Sequence, residues 1–406
     1  MRAIMILLWL LAGCSADRTL SRDDPGPIDV SIAAISVEGG RAVVAIDADR
    51  AVLPASTAKL VTALTVADRA DLEHRFTTRL CRDGDAVMLI GGGDPSLDVE
   101  DLLALALAAK DGLHGATSFH YAPVRTLGAV NSGQPADAAY NPVLSGLMVA
   151  EGAFKGYRAG TTSWSVPEGG PVPPQDGEDW YAHPDPPRQA AMLFRTYAAG
   201  LGVDLPSPEP GPESCPAELA RHQSDPLGDL IRDMLWTSSN AAAEMLGRFA
   251  TTAQGPNVWL ADAHPDLADI VLENFSGLGE KSRVTARAMA LLLAREAGRE
   301  IGDAALPAIL TPAGWDGGLR RRMTGPPAAL AVWAKTGTMH YGVGLAGYVL
   351  HPRRGLLAFA AYAHDPVRRA AYDPLSADPV SEVSARAWDR AARQAVDDAV
   401  TALFRE

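Results

Sequence analysis

Apolar positions along the chain follow two spacings, the alternation typical of strands and the three-to-four spacing typical of helices. Residues 28–37 and 41–46 are rich in β-branched side chains and predict a hairpin, and residues 54–69 place apolar side chains on one helical face. Nearer the C-terminus, the pattern predicts helices over residues 227–250, 285–297 and 383–404 and strands over residues 330–334, 345–350 and 355–363.

The middle of the chain differs from both ends in its pattern and composition. Residues 76–81 and 86–90 predict a second hairpin, and helices are expected over 99–109 and 188–199. Residues 133–187 are loop-like because proline, glycine and aspartate are dense there. We therefore expect an α/β (α+β) catalytic domain built from residues 28–71 and 187–406, with a smaller α/β subdomain, 72–186, inserted into it.

Composition and charge narrow the class of protein. Of the 406 residues, 47% are hydrophobic and 21% are charged, which favours a globular fold with a sizeable core over a disordered chain or a coiled coil. The net charge of −13 disfavours nucleic acid as a partner. Lysine is scarce, with only five among the 36 basic residues, so the position of each lysine is informative.

The N-terminal segment predicts export. Arg2 precedes an apolar run over residues 4–11 that is too short to span a bilayer, as in a secretory signal. The sequence Leu11-Ala12-Gly13-Cys14 is similar to a bacterial lipobox, in which the cysteine carries the lipid anchor. We expect residues 1–14 to be the lipoprotein signal peptide and 15–27 a tether, so the protein is lipid-anchored to a membrane of the cell envelope. The alternative is a plain signal peptide with an incidental cysteine.

Cys81 and Cys215 remain once Cys14 is set aside. An even pair in an exported protein permits a disulfide, although their separation in sequence says nothing about their distance in space. The pairing is a hypothesis at this stage.

Three short motifs carry candidate chemistry. Ser56 and Lys59 stand three positions apart at the start of a predicted helix, so the amine lies one turn from the hydroxyl and can activate it as a base. Ser238 and Asn240 can relay a proton and hold a substrate amide. Each motif alone is also explained by a helix cap or an ordinary polar turn.

The third motif is Lys335-Thr336-Gly337-Thr338, at the end of a predicted strand. A lysine, hydroxyls and a glycine in this order make a cationic shelf for a substrate carboxylate, and the glycine lets a substrate backbone approach closely. A turn that closes a strand is the structural alternative.

The three motifs together match the S-x-x-K, S-D-N and K-T-G set of penicillin-binding proteins and class A β-lactamases, with Ser239 in place of the aspartate. Two of only five lysines fall where this chemistry needs them. With 182 positions between Ser56 and Ser238 and 97 between Ser238 and Lys335, the chain resembles the D-alanyl-D-alanine carboxypeptidase/endopeptidase family, the class C low-molecular-mass penicillin-binding proteins. The first interval is short for that family, which indicates that one inserted subdomain is reduced or missing.

The resemblance implies a β-lactamase/transpeptidase-like antiparallel sheet flanked by helices, and a role for each matched residue. Ser56 would be the acylated nucleophile, Lys59 its general base, Ser238 the proton donor to the leaving amine, and Lys335 the group that binds the terminal carboxylate. The residues that would hold the substrate are Asn240, Thr336, Gly337 and Thr338. The implied partners are peptidoglycan stem peptides that end in D-Ala-D-Ala, with β-lactams as covalent inhibitors.

Two alternatives stay open at this stage. A β-lactamase or esterase of the same fold would share the acylation step, and a non-catalytic wall-binding lipoprotein would share the export signal. No cofactor and no metal are expected, because His114 and His120 do not match a zinc-binding pattern. The run Arg320-Arg321-Arg322 is interpreted as a solvated face.

Overall fold

The protein is represented by a computed structural model that describes residues 25–124, 126–159, 162–166 and 177–406. The predicted lipobox with Cys14 lies outside the described residues. Among the helices within those ranges, none has the length and apolar character needed to cross a membrane.

The described chain is a mixture of strands and helices. The strands are β1 (Val30–Ser36), β2 (Ala42–Ile46), β3 (Thr77–Asp83), β4 (Ala86–Ile90), β5 (Ser118–Ala122), β6 (Thr126–Ala129), β7 (Val143–Ser145), β8 (Ala153–Ala159), β9 (Thr162–Val166), β10 (Gly177–Ala182), β11 (Pro208–Pro210), β12 (Ala217–Gln223), β13 (Glu300–Ile301), β14 (Ala304–Ala305), β15 (Thr311–Pro312), β16 (Val332–Met339), β17 (Gly342–His351) and β18 (Gly355–His364). The helices are α1 (Ala58–Arg69), α2 (Val99–Leu113), α3 (Pro186–Gly200), α4 (Leu227–Thr237), α5 (Asn240–Ala250), α6 (Val258–Ala263), α7 (Ala286–Glu296), α8 (Pro366–Ala371) and α9 (Pro379–Ala402).

The larger sheet unites the two ends of the chain. Its strand order is β15-β16-β17-β18-β1-β2, and every neighbouring pair is antiparallel. The N-terminal hairpin β1–β2 therefore joins a C-terminal meander, with Ala33 of β1 paired to Ala360 of β18. The predicted antiparallel sheet is confirmed.

Both faces of this sheet are covered by helices. Successive residues of β1 point to opposite sides, so Ala33 and Ile35 pack with α1, α4 and α7, whereas Ile32 and Ala34 pack with α9. The apolar face of α9 includes Trp388, which is buried on the second side. One group of helices covers each face of this sheet, as predicted, and an apolar core lies on each side of it.

A second sheet has the strand order β11-β5-β4-β3-β12 and packs against α2 and α3. It begins just after Phe76 and ends just before Ser224, where the backbone N–H of Ser224 donates to the carbonyl of Phe76 at 2.9 Å. The second sheet extends past residue 186, the predicted end of the insert, because β11 and β12 belong to it and α3 packs against it. The proline-rich stretch 205–216 was hard to interpret, since its edge strand β11 has prolines at both ends.

Two further predictions need correction. The region 133–187, expected to be loop-like, contains β7 and a small sheet of order β10-β8-β9. The helix expected over 227–250 is divided into α4 and α5, because Ser238 between them adopts a left-handed conformation with φ 63° and ψ 31°.

Cys81 and Cys215 form a disulfide, which confirms the hypothesis drawn from the cysteine count. Their Cα atoms are 5.2 Å apart across 134 positions of sequence. The bond ties β3 to the segment that enters β12, at the end of this strand pair that lies away from the Phe76–Ser224 contact.

Candidate active site

The turn that carries Ser56 is set by its surroundings. Ala55, Ser56 and Thr57 form a single 3₁₀ turn directly before α1, and Ala55 has a positive φ of 45°. Oγ1 of Thr57 donates to the carbonyl of Pro54 at 2.7 Å, which holds the turn closed. Ser56 is half-buried at the helix start, where backbone N–H groups lack intrahelical partners.

Lys59 is the centre of a buried polar cluster, with none of its surface exposed. Its Nζ lies 2.9 Å from Oγ of Ser56, 2.6 Å from Oδ1 of Asn240 and 2.8 Å from the carbonyl oxygen of Ser276. A neutral lysine amine has two hydrogens and one lone pair. The amide and carbonyl oxygens can only accept, so in the neutral form they take both hydrogens and the lone pair faces the Ser56 hydroxyl.

The environment favours that neutral form. Burial lowers the pKa of Lys59 well below its usual range, and the positive charge of Lys335 lowers this pKa further. Glu244 and Glu151 act in the opposite direction on the same pKa through their negative charges. Burial and the charge of Lys335 thus favour the neutral amine, which is the form that can act as a base.

The break between α4 and α5 positions the second motif. Ser239 caps α5, because its Oγ accepts the N–H of Ala242 at 2.9 Å. The left-handed Ser238 before it turns its hydroxyl towards Lys335, and Asn240 after it reaches Lys59. Nδ2 of Asn240 also donates to the carbonyl of Tyr140, so the middle of the chain helps to orient this amide.

Lys335 lies inside β16, whereas the sequence had placed its motif after a strand that ended at residue 334. Its side chain is 2% exposed, and its Nζ donates to Oγ of Ser238 at 2.8 Å and to the carbonyl of Thr336 at 2.9 Å. Burial lowers the pKa of Lys335 to about 7. The other three lysines are exposed: Lys110, Lys155 and Lys281.

Two glycines allow the elements to meet. A Cβ on Gly337 would lie 2.7 Å from the carbonyl oxygen of Pro54 and 3.2 Å from the Ser56 nitrogen. Gly277 has a φ of 79°, and a Cβ there would lie 2.0 Å from the carbonyl oxygen of Ala55. The Ser56 turn is therefore held between β16 and the segment at 276–278, and neither neighbour can carry a side chain at the contact.

These groups line one cleft with a volume of about 600 Å³. Ser56, Ser238, Asn240 and Thr338 all face it. Thr336 differs from the sequence expectation because it faces a neighbouring cavity of about 420 Å³, to which Thr338 also contributes. Strand alternation explains part of this difference, since Lys335 and Thr336 point to opposite sides of β16.

The sequence reading did not assign roles to three groups that contact or surround the Ser–Lys pair. The carbonyl of Ser276 accepts from Lys59, and Oε1 of Glu244 accepts the Ser276 N–H at 2.8 Å. Glu151 comes from the middle of the chain, and its pKa is raised by burial while a hydrogen bond with Ser239 opposes that effect. A backbone carbonyl leaves no mark in a sequence.

In the part of the chain that the structure describes, no group of three or more histidine, cysteine, aspartate or glutamate side chains is placed to hold a metal ion.

A serine within hydrogen-bond distance of a buried lysine, beside a second lysine–serine pair anchored on a strand of an antiparallel sheet, defines a serine acyl-transfer enzyme. Comparison with known proteins gives the family. The sequence profile of the D-Ala-D-Ala carboxypeptidase 3 (S13) family matches residues 17–118 and 206–378, which is more than half of the chain.

Three relatives illustrate the similarity. A D-alanyl-D-alanine carboxypeptidase from Actinomadura sp. (strain R39) is 27% identical over 399 residues, covering 77% of this chain and 73% of that protein. The crystal structure of penicillin binding protein 4 from Haemophilus influenzae has a TM-score of 0.69 at 17% identity, covering 94% of this chain and 98% of that chain. A predatory endopeptidase from Bdellovibrio bacteriovorus, acylated by penicillin G and bound to an immunity protein, has a TM-score of 0.54 at 16% identity and covers 93% of both chains.

The chain belongs to the D-Ala-D-Ala carboxypeptidase 3 (S13) family. It is a serine-type D-Ala-D-Ala carboxypeptidase, as the resemblance predicted, and its substrates are peptidoglycan peptides of the cell envelope. Penicillin binding protein 4 from Haemophilus influenzae has also been solved in complex with a β-lactam.

Proposed function

We propose that Ser56 is the residue acylated by the substrate and that Lys59 is the base that removes its proton. The observation that carries this assignment is the set of three contacts around Nζ of Lys59, two of which are to oxygens that can only accept. Burial and Lys335 lower the pKa of Lys59, which favours the neutral amine that receives the hydroxyl proton.

In the acylation step, Oγ of Ser56 bonds to the carbonyl carbon of the penultimate D-Ala while its proton moves to Lys59. The peptide bond to the terminal D-Ala then breaks, and Ser238 passes a proton to the leaving amine. Lys335, at 2.8 Å from Ser238, returns a proton to that hydroxyl. The backbone N–H groups of Ser56 and Thr338 are the proposed donors to the developing oxyanion, with each such donor worth about 3–4 kcal/mol.

Between the two steps, exchange with solvent removes the proton from Lys59 and restores one to Lys335, so that Lys59 is neutral again. Water then attacks the ester on Ser56 and gives a proton to Lys59, which passes it to Oγ of Ser56 as the ester bond breaks, and the shortened peptide is released. The amide of Asn240 and the hydroxyl of Thr338 face the cleft beside the two lysines and are proposed to hold the substrate backbone and carboxylate. Gly337 leaves room for the peptide along β16, and Thr336 is proposed to contact its carboxylate end from the adjoining cavity.

The direct test is release of D-Ala from a stem pentapeptide that ends in D-Ala-D-Ala. We expect wild-type protein to release D-Ala, and we expect Ser56→Ala and Lys59→Met to lose at least about 1,000-fold in kcat. Lys281→Gln replaces an exposed lysine and serves as the matched control. Activity that survives in Ser56→Ala would contradict the assignment, and rapid turnover of penicillin without D-Ala release would favour the β-lactamase alternative.

We also propose that Cys14 carries the lipid anchor, supported by the sequence Leu11-Ala12-Gly13-Cys14 after a short apolar run. The full-length chain expressed in a bacterial host is expected to partition into the detergent phase and to carry diacylglycerol on Cys14. Cys14→Ser should move it to the aqueous phase. Equal partitioning of both forms would favour a plain signal peptide.

A further inference from the structure

Arginines converge on the cavity that Thr336 faces. The cavity has a volume of about 420 Å³ and adjoins the catalytic cleft at Thr338. Its walls carry Arg320 and Arg321 from the segment after β15, and Arg393 from α9. The backbone packs closely at its edge, since a Cβ on Gly318 would lie 2.6 Å from Oγ1 of Thr336.

The charges in this cavity are not balanced. Arg322 also borders it, but this guanidinium is buried and makes a two-pronged contact with Asp397, with the shortest N–O distance at 2.6 Å. Among the described residues, no carboxylate is paired with Arg320, Arg321 or Arg393. The run that the sequence suggested was a solvated face therefore divides into one structural arginine and two exposed ones that face the cavity with Arg393.

An uncompensated group of guanidiniums is informative in a chain with a net charge of −13. Elsewhere in the described chain, arginines are commonly paired, as Arg287 is with Asp49 and Arg295 with Asp266. Guanidinium groups bind carboxylates well because their fork of N–H donors matches the two oxygens. The cavity thus has the chemistry of an anion site open to solvent.

The position of the cavity relates it to the leaving group of the substrate. In the proposed mechanism, which this inference rests on, Ser238 protonates the leaving amine and is held by Lys335. Thr336 and Thr338 follow Lys335 along β16 and line the arginine cavity. The leaving group is therefore released at the border of this cavity, whereas Tyr140 and Asn240 line the cleft alone.

We propose that this cavity is a binding site for the carboxylates of the leaving group, and that it selects cross-linked peptides in which the leaving group is itself an acidic stem peptide. Free D-Ala has a single carboxylate, which the lysine–threonine shelf of β16 can hold. The leaving half of a cross-linked dimer has additional carboxylates, and these reach Arg320, Arg321 and Arg393. The site would give the enzyme a preference for cross-link cleavage over removal of terminal D-Ala.

The test compares three substrates that share one acyl half. Their leaving groups are D-Ala, the acceptor stem of a cross-linked dimer, and the same acceptor stem with its additional carboxylates amidated. For the triple variant Arg320→Gln/Arg321→Gln/Arg393→Gln, we expect kcat/KM to fall about tenfold or more on the acidic dimer and to stay within about twofold on the other two. For wild-type protein, the preference for the acidic dimer should weaken as salt is raised from low to about 0.5 M, because exposed charges are screened.

Arg390→Gln is the matched control, since Arg390 is exposed on the same helix as Arg393 and does not line either cavity. Penicillin labelling and D-Ala release by the triple variant verify that its catalytic centre is intact. An equal loss on all three substrates, or no loss on the acidic dimer, would overturn the inference. Loss of binding to intact cell walls with unchanged dimer cleavage would also overturn it, by reassigning the cavity to an anionic wall polymer. Failure of the proposed function is distinguishable because wild-type protein would then cleave none of the substrates.

Discussion

The two buried lysines show how single residues define this site. The scarcity of lysine made Lys59 and Lys335 conspicuous in the sequence, and both are at most 2% exposed in the structure. The sequence could predict the Ser56–Lys59 contact because it depends on helical spacing alone. It could not predict that Asn240 and the Ser276 carbonyl would meet the same amine, since these contacts depend on how distant elements pack.

The first prediction at this scale concerns the charge of Lys335. That charge lowers the pKa of Lys59, so Lys335→Gln should raise the Lys59 pKa and move the rising limb of the acylation profile to higher pH. At a pH on the wild-type limb, the fraction of neutral base falls and the rate of acylation by penicillin should drop by at least about tenfold. Rates measured between pH 5 and 10 check this, with Lys281→Gln as control. A lower acylation rate without a displacement of the rising limb of the pH profile would contradict the effect of Lys335 on the pKa of Lys59.

Loss of the Glu244 charge should move the pH profile of acylation in the opposite direction. Its buried negative charge raises the pKa of Lys59, so Glu244→Gln should move the rising limb to lower pH. The glutamine oxygen can still accept the Ser276 N–H, which keeps the carbonyl of that residue facing Lys59. The exposed Glu100→Gln is the control. If the rising limb of the pH profile moves to higher pH instead, as for Lys335→Gln, the carboxylate does not act through Lys59.

At the scale of elements, the close packing of β16 against the Ser56 turn is decisive. Sequence periodicity predicted the main strands of the larger sheet and the helices that pack on it, but it ended β16 too early. The lysine, threonine and glycine in the second half of β16 do not form an apolar pattern. It also joined α4 and α5, since a left-handed serine is not visible in hydrophobic spacing. In both places the pattern fails where residues serve the cleft instead of the core.

Gly337→Ala tests this packing. The added methyl would lie 2.7 Å from the Pro54 carbonyl, so β16 and the Ser56 turn must separate. Misplacement on the order of 1 Å should lower the acylation rate about 100-fold. Gly298→Ala is the control, because a Cβ there meets nothing within 4 Å. Stopped-flow measurement of acylation by a fluorescent penicillin gives the rate, and an unchanged rate in Gly337→Ala would contradict the proposed contact.

At the scale of the whole molecule, one chain forms two sheets, each with its own helices packed against it. The sequence predicted an insert but not its extent, since β11 and β12 return to the second sheet after α3 and their short, polar sequences do not look like strands. The cysteine count suggested the Cys81–Cys215 bond, and only the register of β12 on β3 shows why it forms, with Glu218 opposite Cys81.

The disulfide should stabilise the second sheet more than the catalytic sheet. It closes a loop of 134 positions, and constraining a loop of this length in the unfolded chain is worth about 3–5 kcal/mol. Cys81→Ala/Cys215→Ala should accelerate hydrogen exchange in β3, β4 and β12 while β16–β18 stay protected. Uniform acceleration through both sheets would show that the two layers unfold together.

Acylation of Ser56, with transfer of its proton to Lys59, is the step on which the proposed function depends. The most direct measurement is intact-mass analysis after incubation with benzylpenicillin, followed by proteolysis and mapping of the modified peptide. We expect a mass increase equal to one penicillin molecule, located on Ser56 and absent in Ser56→Ala. An adduct on any other residue, or one that persists in Ser56→Ala, would contradict it.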